Sequence, residues 1–319
     1  MICDFCYRHC NIQDGHEGFC KVRKVRNGRL ISSGYSYLEA LNIDPIEKKP
    51  LFHFLPGSKT LSVAQSGCNF NCDFCQNWSL SQGDKGERYS YVPPRKLVDL
   101  ALKSQVPSIS FTYSEPIVWQ DYVFDVSLIA QSYGIKTIMV TNGSFSQEAL
   151  VRLQPFIDVF NIDVKGDADY YRTICKGEMQ PVLDSIAYLI SQGNHVEVTT
   201  MLIEGIHNAS IIAQIGKALH ERGVQVWHLS RFFPNYKMAN RNMTSEDFLS
   251  AMVRVAKGSG IPFIYRGNTV EDDPTICPHC GKILMSSHSY DNHAREESRQ
   301  HLHQGRCEYC HTEIYGFYE

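Results

Sequence analysis

The chain has little of three features that would indicate its location, binding partners or architecture: long apolar runs, net charge and internal repeats. No uninterrupted apolar stretch approaches the roughly 20 residues that a membrane helix requires, and no apolar signal-peptide segment follows Met1. The 319 residues carry a formal net charge of −3, which argues against an overall nucleic-acid or membrane-binding surface. We therefore expect a cytoplasmic protein that binds neither membranes nor nucleic acid.

Cysteine, by contrast, is abundant, and its twelve residues fall into groups. Three sets are spaced like metal ligands, and Cys175 stands apart from them. In a chain of this length, such grouping favours metal sites in a reducing compartment over the disulfide framework of a small secreted protein. The sets are Cys3, Cys6, Cys10 and Cys20; Cys68, Cys72 and Cys75; and Cys277, Cys280, Cys307 and Cys310.

The middle set has the spacing C-x3-C-x2-C and follows a short apolar segment, residues 60–64. Three thiolates can bind three irons of a four-iron cluster and leave the fourth iron open. Three unpaired core thiols are the alternative interpretation. The flanking Gly67, Asn69 and Asp73 argue against it, because free cysteine in a core is surrounded by apolar residues.

This set resembles the cluster motif of the radical S-adenosylmethionine (SAM) enzymes, and Phe74 fills the aromatic position that precedes the last cysteine. The resemblance implies that Cys68, Cys72 and Cys75 hold a catalytic 4Fe–4S cluster and that Phe74 contacts the cofactor. In that family, one electron from the reduced cluster cleaves SAM, and the 5′-deoxyadenosyl radical removes a hydrogen atom from the substrate.

Between the cysteine sets, short β-branched runs alternate with amphipathic segments. This alternation predicts parallel strands joined by crossover helices, in an α/β fold of roughly six units that close part of a barrel. The last helix begins with Thr244 and Asp247, a capping pair. Strands are predicted at 61–64, 108–112, 136–140, 159–164, 195–202, 225–229 and 262–265, and helices at 95–104, 120–133, 147–153, 181–192, 208–221 and 244–257.

Polar motifs follow three of these strands, at the end where parallel α/β sheets bind ligands. Each resembles an element of the pyruvate formate-lyase activating enzymes, which carry Gly-Gly-Glu-Pro, Thr-Asn-Gly and Asp-Leu-Lys there. The resemblance implies a SAM site, with Gly143 allowing close backbone approach, although ordinary polar contacts explain each motif taken alone. The motifs contain Ser114 and Glu115, Asn142, and Asp163 and Lys165.

The C-terminal set consists of two C-x2-C knuckles, a zinc-ribbon pattern. The long gap between them contains histidines that are able to replace one thiolate, and an auxiliary iron–sulfur cluster is the competing interpretation. A metal there would stabilise a segment too short to form its own core. The histidines are His288, His293, His301 and His303. The stretch 291–303 has the composition of a solvent-exposed loop.

The N-terminal set, C-x2-C-x3-C-x9-C, is typical of one metal site, with His9 and His16 as substitute ligands. Zinc and an auxiliary iron–sulfur cluster both fit this spacing, and zinc is the preferred interpretation. The three sets together predict an arm at 1–57, a barrel at 58–270 and a zinc-ribbon module at 271–319.

Over nearly its full length the chain resembles the radical SAM enzymes of the AmmeMemoRadiSam group, a branch near the activating enzymes. The resemblance implies a reductant such as flavodoxin or ferredoxin, and partnership with Memo-like and AMME-syndrome-type proteins. Arg266 and the expanded ribbon depart from the pattern. The residues that carry the resemblance are 3–23, 44–58, 67–78, 112–116, 160–165 and 265–268.

The leading functional hypothesis is hydrogen abstraction from a protein or peptide substrate. Radical modification of a small molecule is an alternative, and a metal-dependent binding or redox-sensing module is another. A sensor needs no SAM pocket, so the strand-end motifs argue against the last.

A few isolated residues allow two interpretations. Lys48 and Lys49 are placed to reach the active site, but lysines before a strand are more often solvated, and the case for His53 is weaker. Cys175 is either a hydrogen-atom relay or a small buried hydrophobe, and the second is preferred. Trp227, His228 and Arg231 also allow two interpretations. They contact the cofactor or substrate, or the first two pack in the core and Arg231 is a charge at the rim, and the two interpretations fit about equally well.

Overall fold

The computed structural model describes residues 1–82, 90–269, 271, 273–285 and 301–318. The strands are β1 (Arg23–Arg26), β2 (Arg29–Ser32), β3 (Tyr37–Leu38), β4 (Ala40–Pro45), β5 (Lys59–Ala64), β6 (Ser90–Tyr91), β7 (Ser108–Phe111), β8 (Lys136–Thr141), β9 (Val159–Asp163), β10 (His195–Leu202), β11 (Val226–Arg231), β12 (Phe263–Gly267), β13 (Thr275–Ile276), β14 (Ile283–Met285), β15 (Leu302–His303) and β16 (Arg306–Cys307).

The helices alternate with the strands of the central sheet, and a π-helical turn at Tyr171–Cys175 follows the fifth of them. They are α1 (Trp78–Ser81), α2 (Pro94–Lys103), α3 (Gln120–Ser132), α4 (Gln147–Leu153), α5 (Ala168–Tyr170), α6 (Gln180–Ser191), α7 (Ala209–His220) and α8 (Glu246–Lys257). The long ones bury one apolar face against the sheet, as their three- and four-residue periodicity predicts. Among the described residues, no helix has the length and hydrophobicity to span a membrane.

The central sheet has eight strands in the order β12-β11-β10-β9-β8-β7-β5-β4. Seven of them, from β5 to β12, are parallel, and each lies beside its predecessor in the chain. A single direction of winding is the arrangement of a βα barrel rather than of a doubly wound sheet. The predicted α/β partial barrel is confirmed.

Two details differ from the sequence-based prediction. Strand β4 pairs antiparallel with β5 and extends the sheet by one strand at an edge where the sequence indicated only a cysteine-rich arm. Ser245, not Thr244, caps α8, because its side chain accepts the backbone N–H of Phe248. The Thr244 hydroxyl instead donates to the carbonyl of Leu202. The proposed boundaries at 57 and 270 stay predictions.

The C-terminal module packs against the amino ends of β10–β12, at the end of the sheet opposite to the ligand-binding end. The backbone of Phe317 bonds to His53 and Leu55, and the Tyr315 hydroxyl accepts the N–H of Val196 at 2.8 Å. Phe263 at the start of β12 belongs to the same apolar cluster as the ribbon cysteines. The module therefore closes the bottom of the barrel.

One segment connects this bottom to the other end of the sheet. Lys49 lines the cavity at the ligand-binding end. The carbonyl of Pro50 accepts a hydrogen bond from Asn161 in β9 at 2.8 Å. The backbone N–H groups of Phe52 and His53 donate to the buried carboxylate of Glu197 at 3.0 and 2.9 Å. These contacts fix the segment along its whole length.

Candidate active site

A cavity of about 400 Å³ opens at the carboxyl ends of the parallel strands. Its wall combines the loop that carries the middle cysteine set with polar residues from the ends of neighbouring strands. The lining residues used below are Lys48, Lys49, Cys68, Cys72, Phe74, Cys75, Asn77, Tyr113, Ser114, Glu115, Asn142, Asp163, Lys165, Ser230 and Asn268.

The cysteine loop turns its three thiols toward the cavity. The Cys68 sulfur accepts the backbone N–H of Phe70 at 3.3 Å and lies 3.8 Å from the side-chain nitrogen of Asn142. The Cys75 sulfur lies 3.2 Å from the hydroxyl of Ser81. Burial raises the pKa of Cys68, so this thiol ionises only when a metal replaces its proton.

The π-helical turn holds the loop from behind. The backbone N–H groups of Asn71 and Asp73 donate to the carbonyls of Cys175 and Ile174 at 3.0 and 3.1 Å. Cys175 is fully buried beneath the loop and is not among the lining residues. The position fits a small buried hydrophobe, as the preferred sequence interpretation states, although Cys175 lies against the lining residue Cys72.

Glu115 is a buried carboxylate between two strand ends. Its Oε1 accepts bonds from the Thr141 hydroxyl at 2.5 Å and from the backbone N–H of Ile117 at 3.1 Å. Its Oε2 accepts the backbone N–H of Asn142 at 2.7 Å. Burial raises the pKa of Glu115 to about 7, and these three donors oppose the shift. The carboxylate therefore changes charge near neutral pH.

Tyr113 occupies the position of the first glycine in the activating-enzyme motif. It adopts φ of 66°, the left-handed conformation that glycine supplies without strain. The Tyr113 hydroxyl donates to Asp44, and the same carboxylate binds the Lys49 ammonium at 2.7 Å. Lys49 also lies 4.5 Å from the Tyr113 ring centroid. The loop shape is kept by tethering the tyrosine to β4.

Lys49 is the residue of this cavity that the sequence interpretation placed wrongly. It is 2% exposed, whereas the pattern favoured a solvated lysine. Burial lowers its pKa, and the neighbouring Asp44 opposes that shift. Lys48 also lines the cavity but is exposed. No periodicity marks Lys49 as buried, because it lies outside any helix or strand of the sheet.

The remaining predicted cofactor residues lie on the same wall. The Lys165 ammonium binds the Asp163 carboxylate at 2.8 Å and lies 5.8 Å from the centre of the Phe74 ring. The Ser114 hydroxyl is committed to internal bonds, donating to the carbonyl of Gln65 and accepting from Trp119. The structure thus brings all the predicted strand-end residues around one cavity, while their part in cofactor binding stays a prediction.

Similarity to known proteins agrees with this geometry. Residues 62–215 match the Radical SAM superfamily model. The chain is also 38% identical over 295 residues to MJ0808, an uncharacterized protein of Methanocaldococcus jannaschii, and the match covers 91% of this chain and 88% of that protein. The chain belongs to the radical SAM superfamily.

More distant relatives of this radical SAM enzyme connect it to activating enzymes. It is 25% identical over 197 residues to MJ1632 of the same organism, provisionally named a glycyl-radical enzyme activating enzyme, with 59% of this chain and 72% of that protein covered. The crystal structure of Streptococcus suis SuiB with bound SAM has a TM-score of 0.53 at 12% identity, and covers 70% of this chain and 53% of that one. At such low identity the structural match supports the fold alone.

Membership of the radical SAM superfamily implies SAM and a 4Fe–4S cluster, and the three loop thiols fit a cluster. Among the described residues, only the C-terminal cysteines bring three or more ligand atoms within 4.8 Å of one another. At least two of the loop sulfurs are therefore further apart than that. A wider spacing is what a cluster requires, since each thiolate binds a different iron.

Several residues lie away from the cavity of this radical SAM enzyme. The ring of His53 bonds to Tyr265 and Tyr315 at the barrel bottom. Trp227 and His228 are buried and bond to Thr200 and Glu197, as core packing predicts. At the rim, the guanidinium of Arg231 pairs with Glu246 at 2.6 Å, as a charged rim predicts.

Gly143 permits close packing, but not toward the cofactor cavity. Its φ is 71°, and an added Cβ would lie 2.6 Å from Cγ2 of Ile162 and 3.2 Å from Val182. The glycine therefore lets the turn pack on the core beneath it. The expectation that it allows approach to the cofactor stays a prediction.

The C-terminal cysteines form a compact four-thiol group. Cys277 and Cys310 have sulfurs 3.6 Å apart, as do Cys280 and Cys307. Four ligands at 2.3 Å from one tetrahedral zinc stand about 3.8 Å apart. The group is able to bind a single ion without a histidine, and the imidazole of His301 bonds instead to Glu308. His288 and His293 lie outside the described residues.

The four N-terminal cysteines line a second, smaller cavity. They interact pairwise, and burial raises the pKa of Cys6 to about 12. Asn69 and Val118 from the barrel line the same cavity. The set is therefore one site that lies against the barrel, as its spacing predicts.

Proposed function

We propose that this radical SAM enzyme cleaves SAM reductively and removes a hydrogen atom from a protein or peptide substrate, as activating enzymes do. Cys68, Cys72 and Cys75 would hold the 4Fe–4S cluster. A bound, reduced cluster of this kind supplies the electron that splits SAM into methionine and a 5′-deoxyadenosyl radical. The observation that carries the proposal is that these three thiols share one cavity with the buried carboxylate of Glu115.

Glu115 would bind the amino group of SAM. Its Oε2 accepts a single bond, from Asn142, and a carboxylate oxygen has room for a second. A charge-assisted bond from the ammonium would also lower the raised pKa of this group. The Asn142 side chain would hold the cysteine loop beside the cofactor, while Ser114 and Tyr113 shape the wall.

Asp163, Lys165 and Phe74 would line the rest of the SAM site. The 2.8 Å ion pair between Asp163 and Lys165 positions one acceptor group and one donor group at the cavity wall. Both groups retain hydrogen-bonding capacity beyond this pair, suited to the hydroxyl and carboxylate groups of SAM.

The substrate assignment has separate support at the cavity rim. Trp78, one residue after the lining residue Asn77, is 42% exposed and stacks on Tyr236 with ring centroids 5.2 Å apart. Phe233, in the loop after the lining residue Ser230, is 47% exposed. Exposed aromatic rings beside an active site are typical of surfaces that bind polypeptides. Memo-like or AMME-syndrome-type proteins would be candidates, if the chain belongs to the AmmeMemoRadiSam group.

A small anionic molecule is the second candidate substrate, and Lys49 favours it. This ammonium is buried at the cavity wall and is held in place by Asp44 and Tyr113. A fixed cation of this kind binds a carboxylate or phosphate with little loss of side-chain entropy.

Deuterium transfer distinguishes the two candidates. The enzyme would be reconstituted anaerobically and supplied with SAM and reduced flavodoxin or ferredoxin, which we propose as the natural reductant. One reaction would contain perdeuterated candidate proteins, and another a perdeuterated low-molecular-weight extract. Deuterium in 5′-deoxyadenosine from the proteins alone would support a polypeptide substrate, and from the extract alone a small molecule. The absence of 5′-deoxyadenosine in every reaction would refute reductive SAM cleavage.

Matched variants sharpen this test. Trp78→Ala with Phe233→Ala should reduce turnover of a polypeptide about tenfold or more, while uncoupled SAM cleavage stays unchanged. Lys49→Met should have the larger effect if the substrate is a small anion. Equal turnover of both variants and the parent would contradict both substrate assignments.

We also propose that the C-terminal thiols hold zinc with a structural role. The 3.6 Å sulfur pairs fit one tetrahedral ion better than a cluster. The site lies at the barrel bottom, away from the cavity, so folding is the function that its position favours.

A further inference from the structure

We propose that Cys3, Cys6, Cys10 and Cys20 hold an auxiliary iron–sulfur cluster, and that this cluster passes electrons to the cluster on the barrel loop. The spacing in the sequence favoured zinc, but the three-dimensional arrangement favours the alternative. The assignment does not depend on which substrate the enzyme uses.

Sulfur spacing separates the two metals within this one molecule. The C-terminal thiols lie within 4.8 Å of one another, whereas no three ligand atoms among the four N-terminal cysteines, His9 and His16 do so, all six being described residues. The loop thiols share the wider spacing. A single zinc requires sulfurs about 3.8 Å apart, while thiolates on separate irons stand further apart.

The N-terminal cavity also offers donors suited to an anionic cluster. Backbone amides lie near three of the sulfurs and lower the pKa of these thiols against the effect of burial: Phe5 for Cys3, Arg8 for Cys6, and Val22 and Arg23 for Cys20. Hydrogen bonds from backbone amides stabilise thiolates and tune cluster potentials.

Arg23 adds a buried cation with an unused donor. The residue is 3% exposed and lines the cavity. Its terminal nitrogen pairs with Asp121, but its buried Nε has no partner among the described residues. Buried donors in native proteins nearly always have an acceptor. A thiolate or inorganic sulfide of a bound cluster would be that acceptor.

The N-terminal site lies directly against the barrel loop. The Asn69 side chain lies close enough to the Cys6 sulfur to lower its pKa, and its oxygen accepts a hydrogen bond from Asn142 at 2.8 Å. The same Asn142 nitrogen is 3.8 Å from the Cys68 sulfur. Two asparagine side chains, hydrogen-bonded to each other, therefore lie between a thiol of one site and a thiol of the other.

Backbone packing is equally close. Gly67, the residue before Cys68, has φ of 100°, and a Cβ added there would lie 2.2 Å from Cγ2 of Val22 and 2.9 Å from the carbonyl oxygen of Cys20. Only glycine lets the two segments approach in this way. The contact fixes the distance between the sites, as electron transfer requires.

The relay would move one electron at a time. Reduced flavodoxin or ferredoxin gives one electron to the auxiliary cluster, which then gives one electron to the loop cluster and returns to its oxidised state. Cys10 is only half-buried and follows the exposed His9, so a donor protein is able to approach this side.

Metal analysis tests the assignment without any assay of activity. Cys68→Ala, Cys72→Ala and Cys75→Ala together leave the N-terminal site intact. We expect this variant, after anaerobic reconstitution, to retain iron and acid-labile sulfide in equal amounts. Adding Cys6→Ala and Cys20→Ala should remove both. An iron-free loop variant, or one holding zinc or sulfide-free iron at the N-terminus, would overturn the proposal.

A second experiment tests the relay. Cys6→Ala with Cys20→Ala in the otherwise native chain should retain the loop cluster and cleave SAM with dithionite. With reduced flavodoxin the rate should fall more than tenfold. Equal losses with both reductants, or no loss with either, would contradict electron transfer through this site.

Arg23→Met provides a readout that does not require removing a ligand. Losing the buried cation should lower the midpoint potential of the auxiliary cluster in the loop variant, with iron content unchanged. Arg26→Met, an exposed residue of the same strand, is the control. Equal potentials in both variants would place Arg23 outside the cluster environment and contradict the proposal.

Discussion

The carboxylate of Glu115 accepts the backbone N–H of Asn142 at 2.7 Å, and this bond joins the loop after β7 to the end of β8. Asn142 in turn reaches the Cys68 sulfur. One buried acid therefore contacts the end of a neighbouring strand and, through Asn142, the surroundings of a proposed cluster ligand. Its charge state matters for both.

Replacing Glu115 by alanine should weaken SAM binding about ten- to a hundredfold. A charge-assisted hydrogen bond contributes about 1.5–3 kcal/mol, and about 1.4 kcal/mol is a factor of ten. Iron content should not change, because no thiol is touched. SAM affinity of reconstituted Glu115→Ala would be measured beside the exposed control Glu221→Ala. Equal affinities would place Glu115 outside the SAM site.

Glu115 should also make stability depend on pH. Its pKa is raised from 4.5 to about 7, so its contribution to folding is fully present below pH 4.5 and is lost as pH rises through 7. The loss amounts to about 3 kcal/mol. Urea unfolding between pH 5 and 8 should show this loss in the difference between the parent and Glu115→Gln, because other groups such as His53 titrate in both proteins. Parallel profiles for the two proteins would contradict the raised pKa.

The triple alanine variant of Cys68, Cys72 and Cys75 should lose the iron of one 4Fe–4S cluster and all SAM cleavage, while its zinc content stays unchanged. The three thiols line the cavity and are the proposed ligands of the cluster. Iron analysis and 5′-deoxyadenosine chromatography are the measurements, and Glu221→Ala, which alters an exposed residue, is the control. Cleavage at the parental rate would refute the ligand assignment.

Cys277→Ser with Cys310→Ser should remove one zinc and lower the thermal midpoint by about 10 °C, because several kcal/mol of folding free energy depends on the metal. Zinc analysis and calorimetry would measure this. His301→Ala should keep its zinc, since four thiols complete the site. Unchanged zinc in the cysteine variant, or loss of iron instead, would contradict the assignment.

Much of the fold was predictable because it depends on local pattern. The β-branched runs and amphipathic segments gave every parallel strand and long helix within a few residues. Strand β4 was missed because its pattern is weak: residues such as Asn42 and Ile43 are exposed at the sheet edge. The cap of α8 was misplaced because Thr244 and Ser245 are both good caps, and tertiary contacts decide between them.

The barrel bottom should be sensitive to acid. Burial lowers the pKa of His53 from 6.5 to about 4, and four donors, including His195 and His228, hold the pKa of Glu197 well below its ordinary value. The contribution of His53 to the free energy of unfolding is present above pH 6.5 and is lost as pH falls toward 4. The contribution of Glu197 is lost as pH falls below 4.5. We expect a loss of about 2 kcal/mol from His53 alone by pH 5.

Urea unfolding at pH 7 and pH 5 checks this prediction. Relative to the parent, His53→Phe should gain about 2 kcal/mol of stability as pH falls from 7 to 5, while the exposed control His220→Phe keeps the parental profile. Zinc release in acid affects all three proteins, so the difference between them isolates His53. Identical slopes would show that His53 does not bind its proton more weakly when folded.

The site was less predictable than the fold, for a physical reason. Strand-end motifs identified the polar wall, because parallel strands bring their carboxyl ends together. Lys49 was missed since burial of a lysine depends on partners such as Asp44 and Tyr113, which no local pattern reveals. Spacing along the chain likewise left both zinc and an iron–sulfur cluster open at the N-terminus, because it does not fix the distances between sulfurs.

Only three positions separate Lys49, at the cavity, from Phe52, which packs on the ribbon module. A metal bound by the ribbon would therefore affect activity as well as folding. A preparation that has lost this metal but kept its cluster would have weaker packing below the part of the cavity wall formed by Lys49 and Tyr113. Specific activity should consequently be normalised to zinc as well as to iron, because a bound cluster alone does not show that the enzyme is active.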